Sequence, residues 1–205
     1  MYEANFRSLA EVPAAWLDKV SRGRITPNTV SALGLIAHIP AFYLIANCYL
    51  VYGGLALALA APTDMLDGAL ARIQKSGSNF GVVLDAAMDR AKEVLIFSAL
   101  AYHFASTEQP VYVLLTVLAL GISLQISYVK AKGEAAIATT SKKKAADLNR
   151  SFSSGLASFP IRVFILVITL LFSVPEVGVI AVIALGVPTI ATRVHDVYKS
   201  LESSK

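Results

Sequence analysis

The sequence predicts an all-α integral membrane protein, a single domain over residues 1–205 with six transmembrane helices and an N-terminal interfacial amphipathic helix. Three observations carry this. The 205 residues are 56% hydrophobic and only 16% charged, with mean hydropathy +0.62, whereas an ordinary soluble domain carries about 25% charged residues. The apolar residues fall into runs of roughly 20, the length that crosses a bilayer as a helix. The basic residues, finally, all lie at one side of those runs. Cys48 is the only cysteine, so no disulfide framework is expected. The charged N-terminus has no apolar run of suitable length near it, so no signal peptide is expected either.

Residues 3–22 place Phe6, Leu9, Ala10, Pro13, Trp16, Leu17 and Val20 at helical spacing among charged residues. This juxtamembrane segment, 1–25, reads as a helix lying on the membrane with Trp16 at the interface. Arg22, Gly23 and Arg24 form a turn. Thr26 is an N-cap and Pro27 the first helical residue of a span over about Thr29–Asn47. His38 within it reads as a hydrogen-bonded core histidine. The second span starts near Leu50 and runs into an acidic motif. The third covers Asn79–Phe104 and the fourth Gln109–Lys130. The fifth starts at Arg150 or Gly155, because Gly155 and Pro160 interrupt its beginning, and ends near Phe172; the sixth covers Glu176–Tyr198.

Three linkers, Asn47–Leu50, Ala105–Pro110 and Ser173–Val177, contain no Lys or Arg, so all 18 basic residues belong to the opposite side. The positive-inside rule makes that side cytoplasmic, with both termini on it, in a multi-pass protein of the cell membrane. The basic residues are dispersed over short juxtamembrane loops, which argues against nucleic acid despite the net charge of +4. Lys142–Lys144 read as an orientation signal in contact with anionic membrane lipids.

The stretch Asp64–Asp89 is the functional question. At about 1.5 Å per residue, Asp64 and Asp67 lie roughly 21 and 26 Å along the second span from Leu50. Asp89 and Asp85 lie roughly 26 and 32 Å into the third, counted from Ser106. All four carboxylates thus reach one level near the cytoplasmic interface. Asp64 and Asp67 are spaced i,i+3, and Gly81, Asp85 and Asp89 are spaced i,i+4,i+8, so each set shares a helix face. Gly68, Ala71 and Gly81 let those faces approach. Four clustered carboxylates repel one another unless cations hold them, and hard oxygen donors suit two Mg²⁺ or Mn²⁺ ions. An ion-pair network with Arg72, Arg90 and Lys92, or a cation or proton pathway, remains open at this point. A transporter, however, would place the carboxylates near the midplane, with internal repeats.

The run Asp64-x-x-Asp67-Gly68-x-x-Ala71-Arg72, followed after eight residues by Gly81-x3-Asp85-x3-Asp89, resembles without a gap the signature of the CDP-alcohol phosphotransferase family. The resemblance implies a homodimeric six-helix transferase of phospholipid biosynthesis. Such an enzyme moves the phosphatidyl group of CDP-diacylglycerol, or an analogous CDP-lipid, to an alcohol and releases CMP. It further implies that Asp64, Asp67 and Asp85 hold one metal ion and Asp64, Asp85 and Asp89 a second, with Asp89 also the catalytic base. Thr26, Pro27, Asn28, Thr29, Gly68, Ala71, Arg72, Ser78 and Gly81 are then expected to bind the CDP-lipid.

For the acceptor, three stretches resemble the prokaryotic phosphatidylinositol phosphate synthase branch. They are Asp85–Arg90, Ser127–Glu134, and the closing pattern of Arg193, His195 and Tyr198. A polyol phosphate acceptor is implied, inositol phosphate first and glycerol 3-phosphate as the alternative, with Lys130, Lys132, Arg150 and Arg193 as its phosphate ligands. One departure stands out. The branch carries E-R-x-E-R before the fifth span, and the corresponding place here reads Ala146-Asp147-Leu148-Asn149-Arg150. Arg162 is a replacement for the missing arginine or a snorkelling structural residue. An inactive structural membrane protein, the remaining alternative, would not require all four aspartates.

Overall fold

A computed structural model describes residues 2–140 and 157–202, with side chains described for 10–138 and 157–202. Among the described residues there are eight α-helices and no strand. They are α1 (Tyr2–Ser21), α2 (Pro27–Ala46), α3 (Leu50–Ala60), α4 (Thr63–Gln74), α5 (Asn79–Ser106), α6 (Pro110–Thr140), α7 (Phe159–Leu171) and α8 (Pro175–Glu202). Among the described residues, four stretches are long and apolar enough to cross a membrane: Pro27–Ala46, Leu50–Gln74, Pro110–Ala138 and Pro175–Glu202. The apolar helix α7 has 13 residues. Large apolar side chains face outward along these helices, Leu59 at 82%, Leu114 at 69% and Phe172 at 74% exposure. Water does not cover such a surface, whereas lipid does.

Local chemistry explains most boundaries. Thr26 caps α2 by accepting a hydrogen bond from the Thr29 N–H at 3.2 Å, and Pro27 opens the helix where its missing N–H costs nothing. The three linkers without Lys or Arg close alike. Cys48, Glu108 and Ser173 adopt φ of 66°, 58° and 57°. The next residue's N–H then reaches back to an orphan carbonyl: Tyr49 to Leu44 at 2.9 Å, Gln109 to Phe104 at 2.8 Å, Val174 to Thr169 at 2.8 Å. This is the Schellman closure, and it makes each linker a tight helix–helix turn.

Three expectations need correction. The second span is not one helix: it is interrupted at Ala61 and Pro62, because Pro62 has no N–H to continue the ladder and begins α4 instead. A straight rise from Leu50 therefore does not describe the approach to Asp64. The fourth helix continues ten residues beyond Lys130, since Ala131, Lys132, Glu134, Ala135 and Ala136 favour helix and Lys130 pairs with Glu134 at 3.7 Å. Lys130 and Lys132 thus stand on α6 and not in a loop. Pro160 does not interrupt the fifth helix but lies in its first turn, after Ser158. The expected starts at Arg150 or Gly155, and the Lys142–Lys144 run, lie outside the described residues.

The chain packs as two compact units, Met1–Ala99 and Leu100–Lys205. In the first, α1 packs on α4, and α2 packs on both α3 and α4. Ala10, Ala14, Val30, Ala69 and Leu70 form a core joined by Leu17, Ile25 and Leu66. Trp16 and Val20, expected on the same face as Ala10, are instead 65% and 61% exposed. Among its described side chains, helix α1 presents Ala10, Ala14 and Leu17 to that core and Val12, Trp16 and Val20 outward. Gln74 Nε2 donates to Asp18 Oδ1 at 2.7 Å and to the Ile25 carbonyl at 2.9 Å, fixing the end of α4. In the second unit, α8 packs on α6 and α7 around Ile122, Ile126 and Ala157.

Candidate functional site

The acidic residues of the first unit come from α4 and α5. The turn between those helices is set by Lys75, whose φ of 50° ends α4, and by Ser78, whose hydroxyl accepts from the Gly81 N–H at 3.0 Å and starts α5. A Cβ on Gly81 would lie 3.1 Å from Ser78 Oγ and 3.3 Å from Asn28 Oδ1, so any larger residue would make Ser78 and Asn28 give by a few tenths of an ångström. Asp67 is buried and accepts a 2.6 Å hydrogen bond from Ser31 of α2. Asp64, Asp85 and Asp89 are partly exposed. Asp67, Asp85 and Asp89 each lie within electrostatic reach of Asp64, so the four carboxylates form one negative cluster.

A cation already sits in that cluster. Lys92 is fully buried, and its ammonium bonds Asp64 Oδ1 and lies 3.4 Å from Asp89 Oδ1. Arg90 flanks Asp89 at 3.9 Å and pairs with Glu93 at 3.3 Å. Gly34 of α2 makes room for Thr63: a Cβ there would lie 2.6 Å from Thr63 Oγ1, with Lys92 Nζ in ordinary contact at 3.6 Å. His38, buried one turn along α2, sits with Nδ1 2.7 Å from the Gly34 carbonyl, the satisfied core histidine that was expected.

Beside the carboxylates lies a cavity of about 160 Å³. Pro27, Asn28 and Ser31 of α2, Asp67, Gly68 and Ala71 of α4, and Ser78, Gly81 and Asp85 on the α5 side line it. Six of the nine residues expected to hold the nucleotide end of a CDP-lipid are therefore gathered around one space. Gly68 meets only Arg72 Nη1, at 3.7 Å from an added Cβ, so a side chain there would project toward the cavity. Thr26 and Thr29 do not line the cavity but form the cap of α2, linked through their hydroxyls at 2.9 Å. Arg72 is exposed and does not line it either.

The cluster matches a divalent cation in donor type, since its ligands are carboxylate oxygens with no thiol among them. Among the described residues no three His, Cys, Asp or Glu side chains converge closely enough to hold a metal ion as they stand. Asp64 and Asp89 are turned to Lys92 instead. Sequence reasoning had counted Lys92 only among generic ion-pair partners. Its signal is faint: a lysine one turn after Asp89, whose importance depends on Asp64, 28 residues earlier.

The expected acceptor ligands among the described residues, Lys130, Lys132 and Arg193, belong to the second unit, where Glu134 pairs with Lys130 and lies within electrostatic reach of Arg193. Lys130 pairs with Glu134, and Lys132 lies 5.9 Å over the Tyr128 ring. Lys132 and Tyr128 line a second, mostly apolar cavity of about 290 Å³ with Val129, Gly133, Val194 and Val197. Arg193 is buried, donates from Nη1 to the Ile126 carbonyl at 2.7 Å, and among the described residues its Nε has no hydrogen-bond partner. Arg150 lies outside the described residues. Arg162 is buried in the first turn of α7, donates to the Ala157 carbonyl at 2.5 Å, and lies within electrostatic reach of Arg193. A snorkelling arginine would extend to the aqueous surface; Arg162 does not.

Fold and site together define a membrane protein, helical throughout its described elements, with an acidic, cation-holding centre beside a small cavity. The chain belongs to the CDP-alcohol phosphatidyltransferase family, whose sequence profile matches residues 24–192. It is 40% identical over 119 residues to a phosphatidylinositol phosphate synthase of Mycobacteroides abscessus, covering 56% of this chain and 53% of that one. In sequence, the chain spans about half the length of the curated relatives it matches. In structure the likeness is wider. The crystal structure of Mycobacterium tuberculosis phosphatidylinositol phosphate synthase with CDP-DAG bound superposes with TM-score 0.78 at 28% identity, covering 93% of this chain and 94% of that one. The same enzyme in complex with manganese and citrate gives TM-score 0.75 at 28% identity, over 92% and 88%.

Proposed function

We propose that this protein is a phospholipid synthase that transfers the phosphatidyl group of CDP-diacylglycerol to the hydroxyl of a polyol phosphate, inositol phosphate first, and releases CMP. One observation carries the proposal: Asp67 and Asp85, two of the four signature aspartates, open onto the cavity lined by Pro27, Asn28, Gly68, Ala71, Ser78 and Gly81. Asp64 and Asp89 complete the cluster behind them. The relatives named for this activity and the CDP-DAG-bound structure support the donor.

Asp64, Asp67, Asp85 and Asp89 are the residues that would hold divalent metal, Mg²⁺ or Mn²⁺, with two ions matching the four negative charges. The manganese complex of the relative supports the ion type. Such ions neutralise the donor diphosphate and the charge developing on CMP. The chain's own part is positioning. Asn28 and Ser78 offer an amide and a hydroxyl to the nucleotide, and Gly68 leaves space for it. Asp89 takes the proton of the acceptor hydroxyl, whose oxygen attacks the phosphorus bearing diacylglycerol; the bond to the CMP phosphate breaks and CMP leaves. In the second unit, Arg162 and Arg193 are buried guanidiniums suited to an acceptor phosphate. Arg162 then fills the role left open by the departure at Ala146–Arg150, with Lys130, Lys132 and Arg150 as further candidates.

The same reading makes residues 1–205 one domain, supported by a family match that runs through both units. It adds α7 and α5 to the four apolar stretches, for six spans. Helix α5 has 28 residues, about 42 Å at the helical rise, and its first half carries Asp85, Asp89, Arg90 and Lys92 at the cytoplasmic level. Helix α1 lies on the cytoplasmic surface of the cell membrane, both termini are cytoplasmic, and the enzyme is a homodimer.

The test is an acceptor panel. Purified protein with labelled CDP-diacylglycerol and Mn²⁺ is given inositol phosphate, glycerol 3-phosphate or serine, and the lipid product is separated. Product with inositol phosphate alone is expected. Product with glycerol 3-phosphate alone would make the protein a phosphatidylglycerophosphate synthase, and product with serine alone would rule out a cationic acceptor pocket.

A further inference from the structure

Lys92 has no assigned part in the reaction, yet it is placed where a metal ion would be held. Its side chain is fully buried, and its ammonium touches Asp64 and lies 3.4 Å from Asp89, one carboxylate from each of the two helices that carry the signature. A buried lysine persists only where anions compensate its lost hydration, and the partly exposed Asp64 and Asp89 repel each other unless a cation lies between them. Each therefore holds the other. Neither Asp64 nor Asp89 can offer the same oxygen to a divalent ion while the ammonium is bound to it. The ammonium and the ion also repel each other at that distance.

We infer that Lys92 is a tethered counter-cation that holds Asp64 and Asp89 in the metal-free enzyme and is displaced when divalent metal binds, so that it sets the metal affinity. The four-carbon stem lets the ammonium leave while staying attached to α5. Lys92 is in this sense a positioning residue. It keeps four carboxylates from splaying apart before metal arrives, and it raises the metal concentration needed for loading. The inference rests on the reading of the cluster as a metal site, and the experiment separates the two.

Full-length protein in detergent is titrated with Mn²⁺ alone, followed by calorimetry and by thermal unfolding, for the natural chain, Lys92→Met and Lys92→Gln. Glutamine keeps the length and a hydrogen-bond donor and serves if the methionine variant does not fold. The expected result has three parts. The variants bind Mn²⁺ at least ten-fold more tightly than the natural chain. Their Tm is lower without metal, and it equals that of the natural chain at saturating Mn²⁺. An unchanged Mn²⁺ dissociation constant, with the same loss of Tm in metal-free and metal-loaded protein, would make Lys92 a permanent ion-pair partner and overturn the inference. If the natural chain binds no Mn²⁺ at all, the metal-site reading itself falls.

Discussion

Ser31 on α2 donates a 2.6 Å hydrogen bond to Oδ2 of Asp67 on α4, and both side chains are buried. This bond ties the helix that begins with Pro27 to the helix that carries the first two signature aspartates. Replacing Ser31 by alanine leaves a buried carboxylate oxygen without its donor, at a cost of about 1–3 kcal/mol. Ser31→Ala should lower the Tm of the metal-free protein, and Ser31→Thr, which keeps the hydroxyl, should restore most of it. An unchanged Tm for Ser31→Ala would show that the bond does not hold α2 to α4.

Gly68 lines the cavity, and the only neighbour of an added Cβ is Arg72 Nη1 at 3.7 Å. Alanine is therefore expected to fold normally while intruding on the donor's space. An extra methyl in a fitted pocket costs roughly 10–200-fold in discrimination. Gly68→Ala should raise KM for CDP-diacylglycerol by about ten-fold, with Tm preserved. Steady-state kinetics beside a thermal-unfolding trace checks this, and a lowered Tm would mean that Gly68 serves packing instead.

Arg193 is buried with Glu134 within electrostatic reach, and among the described residues its Nε has no hydrogen-bond partner, which leaves that nitrogen open to an acceptor phosphate. A hydrogen bond to a charged group contributes about 1.5–3 kcal/mol. Arg193→Gln should thus raise KM for the phosphorylated acceptor by roughly 10–100-fold and leave KM for the CDP-lipid unchanged. If both constants rise together, Arg193 supports the fold through Ile126 and does not bind the acceptor.

Much of this was legible along the chain. Thr26 and Pro27 announce the start of α2, and the linkers at Cys48, Glu108 and Ser173 are recognisable as turns because no apolar run can continue through them. The spacing of Asp64, Asp67, Asp85 and Asp89 identifies the signature and the faces that carry it. Pro62 was also visible, but the apolar run around it masked the break between α3 and α4. The length of α6 was hidden for the opposite reason: its last turns are polar, and helix propensity rather than hydropathy carries them through Lys130 and Lys132. Burial of Lys92 and Arg162 is not a local property. Each reads as ordinary juxtamembrane charge until the fold places Asp64 beside one and Arg193 within reach of the other.

The central claim is that the aspartate cluster transfers a phosphatidyl group, with Asp89 removing the acceptor proton. It is tested most directly by CMP release from CDP-diacylglycerol with inositol phosphate and Mn²⁺, comparing the natural chain with Asp89→Asn. General-base catalysis contributes about 10²–10⁴-fold, and Asp89→Asn also removes a proposed metal ligand, so a loss of at least about 10³-fold is expected. A chelator should silence the natural chain, and added Mn²⁺ should restore it. Release of CMP by Asp89→Asn at the rate of the natural chain would contradict the account.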